Sequence, residues 1–244
     1  MLVKSRFATP SFLEGVDPAL EQQLRTYACE VIFQAGSLLR LSAVTISTAQ
    51  TLLQRFFFVK SLHKYDVRDM LLGALYLATK LEESHVDPRS IVNSVHHVYQ
   101  CREGRPVVPI SIYDASYSST KDTIFAAERK LLKSLGFHVF VEHPHRFILA
   151  FLKILGCHDN KELVQKCWNF LNDSMRTTLC VQYPAHVVAA TAIYLAARTL
   201  QKALPVQWWT LFETTLEQLE NAGLQTLLLY EKPPATYVEL SPRT

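Results

Sequence analysis

Two charged residues stand where helical spacing calls for apolar ones, and they are one donor and one acceptor. Over residues 119–135, Ile124, Ala127, Leu131, Leu132 and Leu135 recur at intervals of three and four, an apolar stripe with Arg129, Lys130 and Lys133 on the far side. Glu128 falls inside that stripe, one turn from both Ile124 and Leu132. A carboxylate facing apolar surroundings is costly unless something hydrogen-bonds it. Lys80 closes another apolar run, Met70 to Ala78. Each has a purely structural reading: Glu128 pairs with a neighbouring helix of its own domain or snorkels out at the stripe's edge, and Lys80 complements a helix dipole. A chemical reading brings the two together at a surface. There one ammonium and one carboxylate satisfy the exposed backbone groups at the end of a partner's helix or loop. That chemistry is recognition, not bond-making.

Other chemistry finds little support in the chain. No nucleophile–base pair, phosphate loop or metal-ligand spacing stands in it, so an enzyme is not expected. His96, His97 and Cys101 lie close in sequence, but adjacent histidines leave a helix on different faces and no second ligand pair follows, so neither metal nor cofactor is expected. Cys29, Cys101, Cys157, Cys167 and Cys180 form no C-x-x-C pair and read as free thiols in a reducing compartment. With 25 basic and 22 acidic residues the net charge of +3 argues against a chain built to neutralise phosphates. Arg102, Arg105, Lys130 and Lys133 are the candidates for a basic face, and direct nucleic-acid binding is not expected. The longest nearly unbroken apolar run, Val187 to Ala197, is short of the roughly 18 to 20 residues a membrane span needs. No N-terminal stretch is patterned as a cleavable signal.

The elements that must hold Lys80 and Glu128 come in two sets. Ala74-Leu75-Tyr76-Leu77-Ala78-Thr79-Lys80 recurs as Ala192-Ile193-Tyr194-Leu195-Ala196-Ala197-Arg198, and Tyr65 and Tyr183 precede the two copies at the same offset. Only two copies exclude a solenoid, which needs three or more stacked units. A duplicated helical domain fits a chain of 244 residues, 49% of them apolar. Seven glycines and no hairpin dipeptides exclude a sheet-rich fold.

Residues 1–19, with Pro10, Gly15 and Pro18, read as an extended arm. Five helices follow, at about 21–39, 47–61, 67–82, 88–99 and 119–135, the third apolar on almost every side and so the central post. Asp66 is the expected N-cap of that post, with Asp69 placed as in a capping box, and Asp87-Pro88 opens the next helix. Residues 101–118 read as a loop insertion, and Gly136 as the C-terminal stop of the fifth helix. After an extended linker at 138–143 the scheme restarts. Helices are expected at 144–155, 161–179, from Pro184, near 206–213, and at 215–230. The expected organisation is therefore an arm 1–19, a first bundle 20–137, a linker 138–143, a second bundle 144–232 and an extension 233–244. Phe56-Phe57-Phe58 reads mostly as core, and Trp208-Trp209 as the closure of the second core.

Ala78-Thr79-Lys80-Leu81-Glu82-Glu83, followed by Ala127-Glu128-Arg129-Lys130-Leu131-Leu132-Lys133-Ser134-Leu135-Gly136-Phe137, resembles the cyclin box, whose doubled five-helix architecture matches the pattern above. Within the cyclins the similarity is to the L type. It rests on Ala8-Thr9-Pro10-Ser11, Gln54-Arg55-Phe56-Phe57, Glu142-His143-Pro144-His145, Asn172-Asp173-Ser174-Met175-Arg176-Thr177 and the second copy of the repeat. The resemblance implies an all-α pair of cyclin boxes that binds and activates a nuclear cyclin-dependent kinase of the transcription or splicing group. It implies that Lys80 and Glu128 hold the kinase's mobile helix and the loop before it, and that Leu81, Leu132 and Val139 pack on that helix. The cyclin performs no chemistry itself; it shifts a bistable kinase toward its active state.

Two alternatives stand beside this reading: a K- or T-type cyclin, which shares the Glu-His-Pro segment, and a nucleic-acid-binding core of cyclin-like folds. Two departures are visible. Where cell-cycle cyclins carry Met-Arg-Ala-Ile-Leu, the first helix here reads Leu24-Arg25-Thr26-Tyr27-Ala28-Cys29-Glu30. L-type cyclins commonly extend into an arginine–serine tail; none lies within residues 1–244, as expected of a cyclin-box fragment or of a lineage without the tail.

Overall fold

Asp–Pro pairs set the register of the first helices. The computed structural model describes residues 8–240. Asp17 accepts hydrogen bonds from the backbone N–H groups of Ala19 and Leu20 and starts α2 (Pro18–Leu38); Asp87 accepts from Arg89 N and starts α5 (Pro88–Arg102). In each case proline occupies the first turn, where its missing N–H costs nothing. Between them run α3 (Ala43–Val59), capped by Ser42, and α4 (Val67–Leu81), capped by Asp66; α6 (Ala115–Ser134) completes the set. No strand occurs among the described residues, and the fold is all-helical.

The chain divides into two compact units. The first takes in residues 8–141 together with 235–240 of those described, the second residues 142–234. In the first, α4 packs against α2, α3, α5 and α6. It is the post that its all-round apolar sequence requires: Met70, Leu71, Ala74, Leu75 and Ala78 are all within 1% of full burial. Phe56 and Phe57 are fully buried beside it, whereas Phe58 points outward, half-exposed. Each fully buried side chain of this size contributes about 1.5–3 kcal/mol.

In the second unit α10 (Ala185–Thr199) is the post, packed against α7 (His145–Ile154), α8 (Lys161–Ser174) and α11 (Leu216–Glu231). Trp208 is buried in this core and Trp209 packs on its edge.

Both copies of the repeat end alike. After α4 the backbone N–H of Ser84 bonds Thr79 O and that of Glu83 bonds Lys80 O, with Glu83 at φ 52°. After α10 the N–H of Lys202 bonds Ala197 O and that of Gln201 bonds Arg198 O, with Gln201 at φ 51°. These are Schellman caps with a non-glycine residue in the left-handed position.

Several boundaries differ from the sequence expectation. The arm holds a one-turn helix, α1 (Pro10–Leu13), because Thr9 caps it by accepting from Phe12 N. Asp66 accepts from Arg68 N, but its other oxygen is taken by Tyr237, and no capping box forms with Asp69. Helix α6 starts earlier, at Ala115, through a polar first turn that carries no apolar signal. Helix α8 stops at Ser174, not 179. The Ser174 and Thr177 hydroxyls bond Leu171 O and Ser174 O, and such side-chain bonds compete with helix continuation. The chain then makes the short α9 (Leu179–Gln182). The helix expected near 206–213 is a 3₁₀ turn, Trp208–Phe212, flanked by left-handed Gln207 and Glu213.

Candidate functional site

Glu128, itself buried, is held in reach of Lys80 because α6 lies close against α4. At the crossing stands Gly73. A Cβ added there would lie 2.5 Å from Ala127 Cβ and 2.8 Å from Glu128 N. The absent side chain lets α6 seat directly on the post, and the next residue, Glu128, then points along α4 toward its C-terminal end.

There it meets Lys80. The ammonium donates to both carboxylate oxygens, at 2.8 Å to Oε1 and 3.0 Å to Oε2. The same Nζ sits 4.2 Å from the ring centre of Tyr76, one turn back on α4, a cation–π contact. Partial burial pulls the Lys80 pKa down. The hydrogen bonds and charge of Glu128, with Tyr76, outweigh it and hold the ammonium above its ordinary range. The partners differ in exposure: the Lys80 side chain is 44% exposed and that of Glu128 12%. Lys80 also borders an open cleft of about 280 Å³ lined by Tyr76, Thr79, His85, Val86 and Asp87.

The remaining sequence-predicted site residues lie in the same unit. Leu81 follows Lys80 and is 38% exposed at the end of α4. Leu132 sits one turn beyond Glu128 on α6, half-buried against the first core, and Val139 is half-buried against that core too. Val139 is reached from α6 through another Schellman cap: Phe137 N bonds Leu132 O, Gly136 N bonds Lys133 O, and Gly136 is left-handed at φ 58°. Beyond it Arg55 donates to Phe140 O, pinning the segment to α3. Phe137 and Phe140 are left 72% and 80% exposed. The structure thus joins Lys80 with Glu128 directly, keeps Leu132 beside them, and attaches Leu81 and Val139 through the backbone.

Gly73, Tyr76 and Arg55 were not singled out from sequence. A tyrosine four residues before a lysine on one helix is a readable i, i+4 signal. The other two depend on which helices cross.

The family model of the cyclin N-terminal domain matches residues 3–140, and that of the cyclin C-terminal domain residues 143–228. The chain belongs to the cyclin family. Among curated relatives this cyclin is 42% identical to Cyclin-L1 of Homo sapiens over 231 residues, covering 94% of this chain and 44% of that protein. It is 41% identical to Cyclin-L2 of Homo sapiens over 240 residues, 97% of this chain and 46% of that one. The cyclin described here therefore spans less than half the length of these relatives. Two solved structures share its fold. One is a chain of the yeast RNA Pol II CTD kinase CTDK-1 complex, with TM-score 0.72 at 18% identity, over 93% of this chain and 74% of that one. The other is a chain of the CAK complex of Chaetomium thermophilum bound to ATP-gamma-S, with TM-score 0.59 at 19% identity, over 90% and 66%.

Proposed function

We propose that this cyclin is the regulatory subunit of a cyclin-dependent protein kinase, and that it grips the kinase with the surface around Lys80 and Glu128. The observation that carries the reading is the pair itself. Lys80 and Glu128 are already joined in the free chain, at the end of the central helix, and half of the lysine side chain still faces water. An ammonium has three protons and a carboxylate about four acceptor sites. The pair can therefore bind a partner's backbone groups without first breaking itself. Leu81, Leu132 and Val139, with exposed Phe137 and Phe140, supply apolar surface that a partner helix can cover. The cyclin contributes contacts and no bond chemistry: it favours one state of an enzyme that has two.

The kinase belongs, on this reading, to the nuclear group acting in transcription by RNA polymerase II and pre-mRNA splicing. The similarity to Cyclin-L1 and Cyclin-L2 over nearly the whole chain supports this, as do the L-type segments around His143 and Asn172.

Lys80→Ala and Glu128→Ala, singly and together, are expected to leave helix content unchanged by circular dichroism while weakening capture and activation of the kinase. Removing one member of a desolvated charged contact costs about 2–5 kcal/mol of binding. Undiminished capture by the double variant would remove this surface from the interface. Mass spectrometry of co-purified kinases separates an L-type partner from the partners of K- or T-type cyclins.

A further inference from the structure

Helix α11 carries two apolar faces, and the core of its unit uses one of them. Leu219, Ala222, Gly223 and Thr226 are buried on the side packed against α10, where a Cβ added at Gly223 would lie 3.3 Å from Leu195 Cδ2. Leu216, Leu224 and Leu227 take no part in that core and are 39%, 46% and 43% exposed, with Leu228 half-buried beside them. At the helical repeat Leu216, Glu220, Leu224, Leu227 and Glu231 fall within about 80° of arc, so they share one outward face. A surface helix ordinarily turns one apolar stripe inward and a polar face outward. Helix α6, which packs on the post of the first unit as α11 packs on that of the second, follows this rule: Arg129, Lys130 and Lys133 stand exposed on its outer side. The duplicated scheme therefore does not itself require leucines on the outside of its last helix.

Charge says what covers them. Within Leu216–Glu231 there are three glutamates, Glu217, Glu220 and Glu231, all exposed, and no lysine or arginine, in a chain whose net charge is +3. Arg198 at the end of α10 is within electrostatic reach of Glu220, but its hydrogen bonds go to the Tyr194 hydroxyl. Along the outward face the order is carboxylate, two turns of leucine, carboxylate. A second copy of the chain fits this face poorly. Pairing two α11 helices antiparallel about Leu224 and Leu227 sets Glu220 of one against Glu231 of the other at both ends, and parallel pairing sets each glutamate against itself. Like charges so placed oppose association. An anionic lipid surface or a nucleic acid is repelled on the same ground.

We infer that the outward face of α11 is a docking site for an amphipathic helix of another protein, one that carries lysine or arginine at both ends of a short apolar stretch. Leu224, Leu227 and Leu228 supply the apolar centre, and Glu220 and Glu231 fix the register by pairing with cations spaced about 16 Å apart, three helical turns. Burying the leucines drives association, while the terminal charges choose the partner and its placement. The inference stands apart from the kinase reading and uses none of its residues.

The test uses the full chain and a pair of stapled helical peptides. Both carry leucines at helical spacing over two turns; one ends in lysines, the other in glutamates. Calorimetry should show the lysine-ended peptide binding at least about tenfold more tightly, as two exposed ion pairs allow, and added salt should narrow the difference. Leucine-methyl NMR shifts should localise at Leu224, Leu227 and Leu228. Leu224→Gln combined with Leu227→Gln should abolish binding at an unchanged urea midpoint, since both side chains already face water. Glu220→Lys combined with Glu231→Lys leaves every leucine in place and should reverse the preference, so that the glutamate-ended peptide binds better. Equal binding of the two peptides, binding of neither, or a preference that survives the charge reversal would overturn the inference. So would sedimentation showing that the parent chain forms a dimer lost in Leu224→Gln/Leu227→Gln, which would assign the face to a second copy.

Discussion

Lys80 and Glu128 are 48 residues apart in sequence and share two hydrogen bonds across the α4–α6 crossing. The second copy of the repeat keeps half of this arrangement. Arg198, at the place of Lys80, lies 5.2 Å over the Tyr194 ring, as Lys80 lies over Tyr76, but its guanidinium is bonded to the Tyr194 hydroxyl. A phenol stands where the first copy uses a carboxylate. The two posts therefore have the same core and the same cap but different surface chemistry, and the difference sits where a partner would be gripped.

The unequal exposure of the pair predicts an unequal response to mutation. Lys80→Met leaves the mostly buried Glu128 carboxylate without its donor, which costs about 1–3 kcal/mol. Glu128→Gln leaves Lys80 an amide acceptor and open water, and should cost no more than about 1 kcal/mol. Chemical denaturation followed by hydrogen exchange of α4 and α6 amides measures both. Equal losses would mean that the pair is worth only its weak surface attraction.

Gly73 should tolerate no side chain. The atoms in the way are Ala127 Cβ and C and Glu128 N, backbone for the most part, so a rotamer change cannot relieve the clash. Gly73→Ala must push α6 off α4, at about 1–3 kcal/mol for overpacking. It also moves Glu128 relative to Lys80, so kinase capture should fall along with stability. If Gly73→Ala were as stable as the parent and captured kinase as well, the close crossing would have no bearing on the site.

The parts of this site that sequence revealed are those that broke a pattern. Glu128 was visible because a carboxylate interrupts an apolar stripe, and Lys80 because it ends one. Their meeting could be proposed from sequence, but the role of Gly73 could not. A glycine inside a helix reads as a local weakness, and its use appears only once Ala127 is found against it. The contact of Tyr237 with Asp66 was hidden for a different reason. The two are 171 residues apart and no periodicity links an irregular segment to a helix cap. Helix α8 ends before its apolar spacing does, because that spacing runs on past Ser174 while the hydroxyls of Ser174 and Thr177 redirect the backbone.

Left-handed caps offer a paired test within the second unit. The three tryptophans of the chain, Trp168, Trp208 and Trp209, all lie in that unit, so their fluorescence reports on its unfolding alone. Gln201, exposed at φ 51°, bears the roughly 1–2 kcal/mol penalty of a left-handed non-glycine residue. Gln201→Gly removes the penalty but loosens the unfolded chain by about 0.4–1 kcal/mol, leaving a net gain of roughly 0.5–1 kcal/mol. Gly156 is left-handed at φ 64° with open space where a Cβ would go, so Gly156→Ala should lose about 1 kcal/mol through backbone conformation alone. Opposite shifts of the urea midpoint at unchanged slope are the expected result.

Acid should weaken the second unit through His145. This side chain is 5% exposed at the start of α7, with Nε2 3.1 Å from Asn172 Oδ1 and its ring edge-on to Trp168 at 5.1 Å. Burial holds its pKa below the ordinary value, against the raising effect of the Asn172 bond, and the neighbouring His143 adds to the depression. The unfolded chain therefore takes up the proton first, as pH falls below about 6.5, and the folded unit resists it. The stability that depends on neutral His145 is complete above that pH and is lost as pH falls through the depressed folded value, at no more than about 1.4 kcal/mol per pH unit. His96 is shifted down in the same sense in the first unit, first by burial and then by Arg105, so whole-chain unfolding would mix the two. Tryptophan fluorescence separates them, and Trp168 is in direct contact with the titrating ring. His145→Gln keeps a donor for Asn172 without a titrating group. It should flatten the fluorescence-detected fall in stability between pH 7 and pH 5, while leaving any His96-linked change in the first unit as it was. A variant whose second unit lost stability with acid as steeply as the parent would place the sensitivity on another group.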